Sequence, residues 1–168
     1  SGYEYTSGRI RSLNKGDFKY GKIEASIKMS NAGGLWHALW MLPSNPTKSW
    51  PTSGEIDIME FVGNRANEIF NTLHFADNIG NHRQIGETEP IVYDNSFHKY
   101  TVEWTANKII WFLDDVETFS VLRTNSQINS TWPFDAEFHI LLNTAVGGNL
   151  GGNVSASTLQ SAQYMEVD

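Results

Sequence analysis

Cysteine is absent from the 168 residues, which excludes disulfides, thiol nucleophiles and thiolate metal ligands and leaves the compartment unreadable from redox usage. Basic clusters are missing too. A net charge of −7 and a pI near 5.1 argue against nucleic acid or an anionic membrane as a partner. No apolar run approaches the roughly 20 residues that span a bilayer, and no signal-like segment opens the chain. Helical 3.6-residue periodicity never persists for ten residues. No H-x-x-x-H metal spacing, G-x-S-x-G elbow or phosphate-binding loop occurs, which removes the usual zinc, serine-hydrolase and nucleotide readings.

What remains is strand-forming and aromatic. Hydrophobic residues make up 40% and aromatics 12%, enough to bury a core in one domain, and six tryptophans stand out. Residues 18–29, FKYGKIEASIKM, alternate cleanly from Lys22, with Ile23, Ala25, Ile27 and Met29 on one face. Residues 35–42, LWHALWML, are apolar on both faces and read as a central strand that projects Trp36, Ala38 and Trp40 together. Further strands are predicted over 70–75, 97–104, 109–113, 116–122, 138–146 and 164–167, with Asp114-Asp115 as a hairpin turn. Short strands at close spacing, separated by Gly, Asn and Pro, predict an antiparallel two-sheet sandwich.

The stretch 54–63, GEIDIMEFVG, sets three carboxylates in an apolar run. A regular strand would send Glu55, Asp57 and Met59 to one face and Ile56, Ile58 and Glu60 to the other. Glu60 would then lie among isoleucines, and an unpaired buried carboxylate costs several kcal/mol or gives up its charge. A β-bulge at Ile58-Met59 shifts the parity and returns Glu60 to the face of Glu55 and Asp57. Two carboxyls on one face are what glycosidic bond cleavage requires. Glu55 and Glu60, about four strand steps or roughly 13 Å apart at their Cα atoms, can reach toward one another across Asp57 to the short separation of a retaining enzyme. Like charges nearby should raise the pKa of Glu60 and keep it protonated as the acid, with Asp57 orienting Glu55. The plainer readings are a solvated acidic face or a cation site for the acids, and core packing for Trp36 and Trp40 rather than a platform for sugar rings. His74, in NTLHF shortly after the acids, is either a partner of Asp57 or of a sugar hydroxyl, or a structural residue. His37, His82, His98 and His139 show no pairing in sequence.

These residues resemble the active-site signature E-x-D-x-x-E of glycoside hydrolase family 16, in its bulged form. TSGRIRS at 6–12, GLWHALWMLP at 34–43, FHKYTVEW at 97–104, IIWFLDD at 109–115, WPFD at 132–135 and LLNTAVGGN at 141–149 agree in order. The set is similar to bacterial-type endo-1,3-β-glucanases, the laminarinases. The resemblance implies a β-jelly-roll sandwich, concanavalin A-like, acting as a secreted monomer on a β-glucan polysaccharide, with no nucleic acid or membrane partner and no catalytic cofactor. It implies Glu55 as nucleophile, Asp57 as its helper and Glu60 as acid/base. Trp36, Trp40 and Trp50 correspond to cleft aromatics, Arg9 to a polar sugar contact and His74 to a cleft histidine. Gly21 and Asp168 match positions of a structural calcium site on the far face.

The resemblance also implies strands before Ser1 and after Asp168, so that residues 1–168 form a single but partial catalytic domain. Leu150 stands where relatives carry an aromatic in the GGN loop. Three alternatives stay open: a carbohydrate-binding module on the same sandwich; a hydrolase of mixed-linkage glucan, agar or carrageenan; and the transglycosylase branch with a shorter E-x-D-x-E strand, against which Met59 speaks.

Overall fold

The computed structural model describes residues 5–154 and 160–168. Among the described residues, eleven antiparallel strands form two sheets that face each other as a jelly-roll sandwich. In chain order they are β1 (Arg9–Arg11), β2 (Gly21–Met29), β3 (Leu35–Pro43), β4 (Glu55–Val62), β5 (Glu68–Ala76), β6 (His82–Pro90), β7 (His98–Trp104), β8 (Lys108–Leu113), β9 (Val116–Leu122), β10 (Phe138–Val146) and β11 (Met165–Val167). A six-stranded sheet runs β1-β10-β3-β4-β5-β6 and a five-stranded sheet runs β11-β2-β7-β8-β9.

The apolar faces meet between the sheets. Ile23, Ile27 and Met29 of β2, Leu39 and Met41 of β3, and Val102, Trp104 and Trp111 from the far sheet are all buried in one core. The alternation in β2 and the two-sided apolar character of β3 therefore both have their expected causes: β2 has one face to bury, whereas β3 lies in the interior of its sheet. Asp114 and Asp115 form the turn between β8 and β9 with φ of 49° and 68°, the left-handed pair that a two-residue hairpin needs. Two strands carried no sequence signal. β1 has three exposed residues, and β6, HRQIGETEP, is a polar edge strand exposed along most of its length. The loop after β10 contains a single helical turn, α1 (Gly148–Gly151), that includes Leu150. Among the described residues no helix is long and apolar enough to cross a membrane.

Candidate active site

β4 carries the three acids, and its pairing shows how they come to share a face. Against β5 the register runs Glu55 to His74, Ile56 to Leu73, Asp57 to Thr72, then Glu60 to Phe70, so Ile58 and Met59 together oppose Asn71. Against β3, Leu39 pairs with Met59 and Trp40 with Asp57, skipping Ile58. The bulge thus lies where parity demanded it, and Ile58 and Met59 are both buried beneath it. Side chains below satisfy the carbonyls it turns inward. Trp111 Nε1–H of the opposite sheet donates to Asp57 O at 2.9 Å, and Asn71 Nδ2–H donates to Ile58 O at 2.8 Å. Gly54 opens the strand at φ 85°, where a Cβ would meet Pro133 at 2.8 Å, so the entry to Glu55 is built for glycine.

Each glutamate is held by an indole. Trp50 Nε1–H donates to Glu55 Oε2 at 2.8 Å, and Trp36 Nε1–H donates to Glu60 Oε1 at 2.9 Å. Asp57 lies between them, 2% exposed. Its Oδ2 is 3.0 Å from His74 Nε2 but out of line, so the contact has ion-pair distance without a formed hydrogen bond. Trp40 donates to Asn143 Oδ1 at 2.8 Å, and the Arg9 guanidinium stacks 4.8 Å over the Trp40 ring. Arg9, Trp36, Trp40, Asn143 and the three acids line a hollow of about 250 Å³, which adjoins a second of about 580 Å³ reaching Trp50, Lys48 and His139. The three acids and four of the residues expected to contact sugar, Arg9, Trp36, Trp40 and Trp50, line these adjoining hollows, and the fifth, His74, sits against Asp57 and the Trp50 ring. Trp36 and Trp40 are half-buried and line it rather than the inter-sheet core. A larger hollow of about 890 Å³ lies between β10 and residues 160–165; none of the acids lines it, so the site is located by chemistry rather than size.

Burial governs the charges. It is the first cause raising the Glu55 pKa to about 8, with the Asp57 charge second; the His74 charge and Trp50 N–H oppose it. Burial likewise holds Asp57 well above the usual carboxylate range, with the Glu60 charge adding to it. Glu60 is raised as well, by burial first, against the Trp36 hydrogen bond. Sequence reasoning predicted a raised value for Glu60 through like charges; the structure raises all three, because desolvation acts on each before its neighbours do. The three carboxyls cannot all be ionised at neutral pH, and they titrate as one set.

Glu55, Asp57 and His74 offer ligand atoms within 4.8 Å of one another, a spacing a cation tolerates. Three ligands fall short of the six to eight oxygens calcium takes, and Glu55 and His74 already hold Trp50 and His82. The structure does not bring together Gly21 and Asp168, the two positions expected to hold calcium. Asp168 pairs by its backbone with Ser26, five residues along β2 from Gly21, which separates the two positions by roughly 16 Å at the rise of a strand. They do not form one cation site.

Sequence reading missed Asn143, the partner of Trp40, and His82, whose Nε2 is 2.8 Å from His74 Nδ1 and whose ring lies 4.8 Å from that of Trp50. Asn143 has a weak signal in its family-like LLNTAVGGN context; His82 has none. The remaining three histidines are also paired: His37 with Thr144 and the Ser30 carbonyl, His98 with Asp94 and Asp114, and His139 with Ser44 at 3.5 Å.

Comparison with known proteins adds four results. The family model of glycosyl hydrolases family 16 matches residues 2–168. The chain is 36% identical over 163 residues to a β-glucanase of Rhodothermus marinus, covering 90% of this chain and 56% of that protein. It is 37% identical over 162 residues to a glucan endo-1,3-β-glucosidase of Cryptopygus antarcticus, covering 89% and 58%. The chain thus spans little more than half the length of these curated relatives. Among solved structures, the laminarinase of Flavobacterium sp. UMI-01 superposes with a TM-score of 0.86 at 35% identity, covering 100% of this chain and 73% of that one.

Proposed function

The chain belongs to glycosyl hydrolases family 16, and from that premise we propose that residues 1–168 act as one catalytic domain that cleaves internal β-1,3-glucosidic bonds of laminarin-type glucans with retention. The observation that carries this reading is the bulge in β4, which places Glu55, Asp57 and Glu60 on one cleft wall with an indole N–H on each glutamate. Relatives named as endo-1,3-β-glucosidases and laminarinases support the substrate.

Retention needs two displacements. In the first, a Glu55 carboxylate oxygen bonds to the anomeric carbon while the Glu60 proton passes to the departing glycosidic oxygen, whose bond to that carbon breaks. Trp50 holds Glu55 in place, and Asp57 beside it takes the proton that burial keeps on Glu55 in the free protein, so that Glu55 attacks as the carboxylate. Esterified Glu55 carries no charge, so the Glu60 pKa falls and Glu60 takes a proton from water. That water attacks the anomeric carbon, releases Glu55 and restores the acid. Two carboxyls and water suffice, so no cofactor enters. One chain supplies every group named, in keeping with a monomer, and a polymeric substrate places the enzyme outside the cell.

A glucan-binding sandwich has no use for two glutamates brought into register by a bulge. The deciding experiment is reducing-sugar release from laminarin, lichenan and agarose by the wild type, Glu55→Gln and Glu60→Gln. Laminarin cleavage that falls at least about 100-fold in each variant is expected. Activity on agarose alone, or laminarin cleavage that survives both substitutions, would sink the reading.

A further inference from the structure

A chain of contacts runs from Glu55 to Asp57 through one residue without a role so far, His82 at the start of edge strand β6. Trp50 donates to Glu55, and its ring centroid lies 4.8 Å from that of His82. His82 Nε2 sits 2.8 Å from His74 Nδ1, with the two rings stacked at 5.0 Å and 26°. His74 Nε2 in turn lies 3.0 Å from Asp57 Oδ2, a buried oxygen with no formed hydrogen bond among the described residues. The path runs from a buried carboxyl through the half-buried His74 imidazole to the exposed imidazole of His82.

We propose that His82 is a positioning residue that connects Asp57 to solvent through His74, so that the imidazole pair moves a proton between the buried carboxyl and water and thereby sets the charge beside Glu55. The inference rests on the glucanase reading for its catalytic consequence. The proton balance is simple. With Asp57 protonated, His74 carries its proton on Nδ1 and donates to His82 Nε2. A small turn of the His74 ring brings Nε2 into line with Oδ2. Asp57 then passes its proton to Nε2, His74 passes the Nδ1 proton to His82 Nε2, and His82 releases its own Nδ1 proton to water. Both imidazoles end neutral in the other tautomer, Asp57 ends ionised, and one proton has left the site.

The charged surroundings of this path are the three acids of β4 behind His74, Lys48 on the loop that carries Trp50, and the Asp77–Arg83 pair at 2.9 Å beside His82 at the β5–β6 turn. The competing role for His82 is a passive shelf beneath Trp50. His82→Phe keeps a flat ring there and removes both nitrogens, whereas His82→Gln keeps a polar group.

The test is kinetics on laminarin as a function of pH with the full chain. His82→Phe is expected to lower kcat on the order of 10-fold, leave KM within about twofold and displace the acidic limb of the kcat profile, with His82→Gln recovering part of the loss. An unchanged kcat and pH profile in His82→Phe, or a rise in KM alone, would overturn the proposal. A second measurement needs no turnover: nitrogen-15 NMR of the imidazoles in the wild type and Asp57→Asn. Asp57→Asn is expected to alter the tautomer balance of His82; identical His82 signals in both proteins would also overturn the proposal. A wild type inactive on every glucan defeats the functional reading, and the NMR comparison still decides the relay.

Discussion

Glu55→Gln should make the protein more stable at neutral and alkaline pH while abolishing its activity. In the folded chain the Glu55 carboxyl keeps its proton to about pH 8, chiefly through burial, against an ordinary value of 4.5. The sign follows from linkage: the folded state holds the proton more tightly, so the associated stability is complete below pH 4.5 and is lost as pH rises through about 8. Over an interval of about 3.5 pH units, at about 1.36 kcal/mol each, the ceiling is about 5 kcal/mol. Side-chain relaxation and shared titration with Asp57 and Glu60 reduce this to about 2 kcal/mol. Glutamine keeps the shape and the acceptor for Trp50 but never ionises. In a domain of this size its melting midpoint should exceed that of the wild type by roughly 4–8 °C at pH 8 and match it near pH 4.5. Thermal unfolding across pH 4.5–9, followed by circular dichroism, measures the difference. Parallel curves for the two proteins, or a less stable variant at pH 8, would refute the argument that desolvation of this carboxyl is stored as instability for the sake of catalysis.

Trp111→Phe should remove the N–H that satisfies the inward carbonyl of Asp57, leaving it buried and unpaired at a cost of about 1–3 kcal/mol in urea unfolding. The same variant should lower kcat on laminarin, because the bulge is then free to relax; unchanged stability and kcat would count against the bulge as the organising device. His37 should behave oppositely to Glu55. Burial lowers its pKa from 6.5 to about 4, so its contribution to stability is present above 6.5 and is lost as pH falls through 4. Proton NMR of the imidazole should show a midpoint near 4, and a midpoint near 6.5 would mean that the ring is hydrated.

The site was unusually legible in sequence because one local contradiction pointed to it. Glu60 has the wrong parity for a strand with an apolar face, and a bulge at Ile58-Met59 resolves the conflict within a few residues. The tryptophans were legible as a set, since Trp36 and Trp40 share a strand face four residues apart, with Ala38 between them. Their bonding was not, because the Trp36–Glu60 contact depends on β3 lying beside β4. β6 escaped notice because an edge strand exposed to water needs no alternation, and His82 escaped with it.

The sequence by itself determined the strand-rich class, the family and the three acids, because period-two alternation and a parity violation are properties of neighbouring residues. The tertiary structure alone decided the chemistry those acids meet. Desolvation that raises all three carboxyls comes from the packing around them, and the donor that secures Asp57 O crosses from the other sheet. It also set Gly21 and Asp168 apart, because the register between β11 and β2 places Asp168 beside Ser26. Burial and register are relations between segments distant in sequence, and those relations exist once the two sheets have closed on each other.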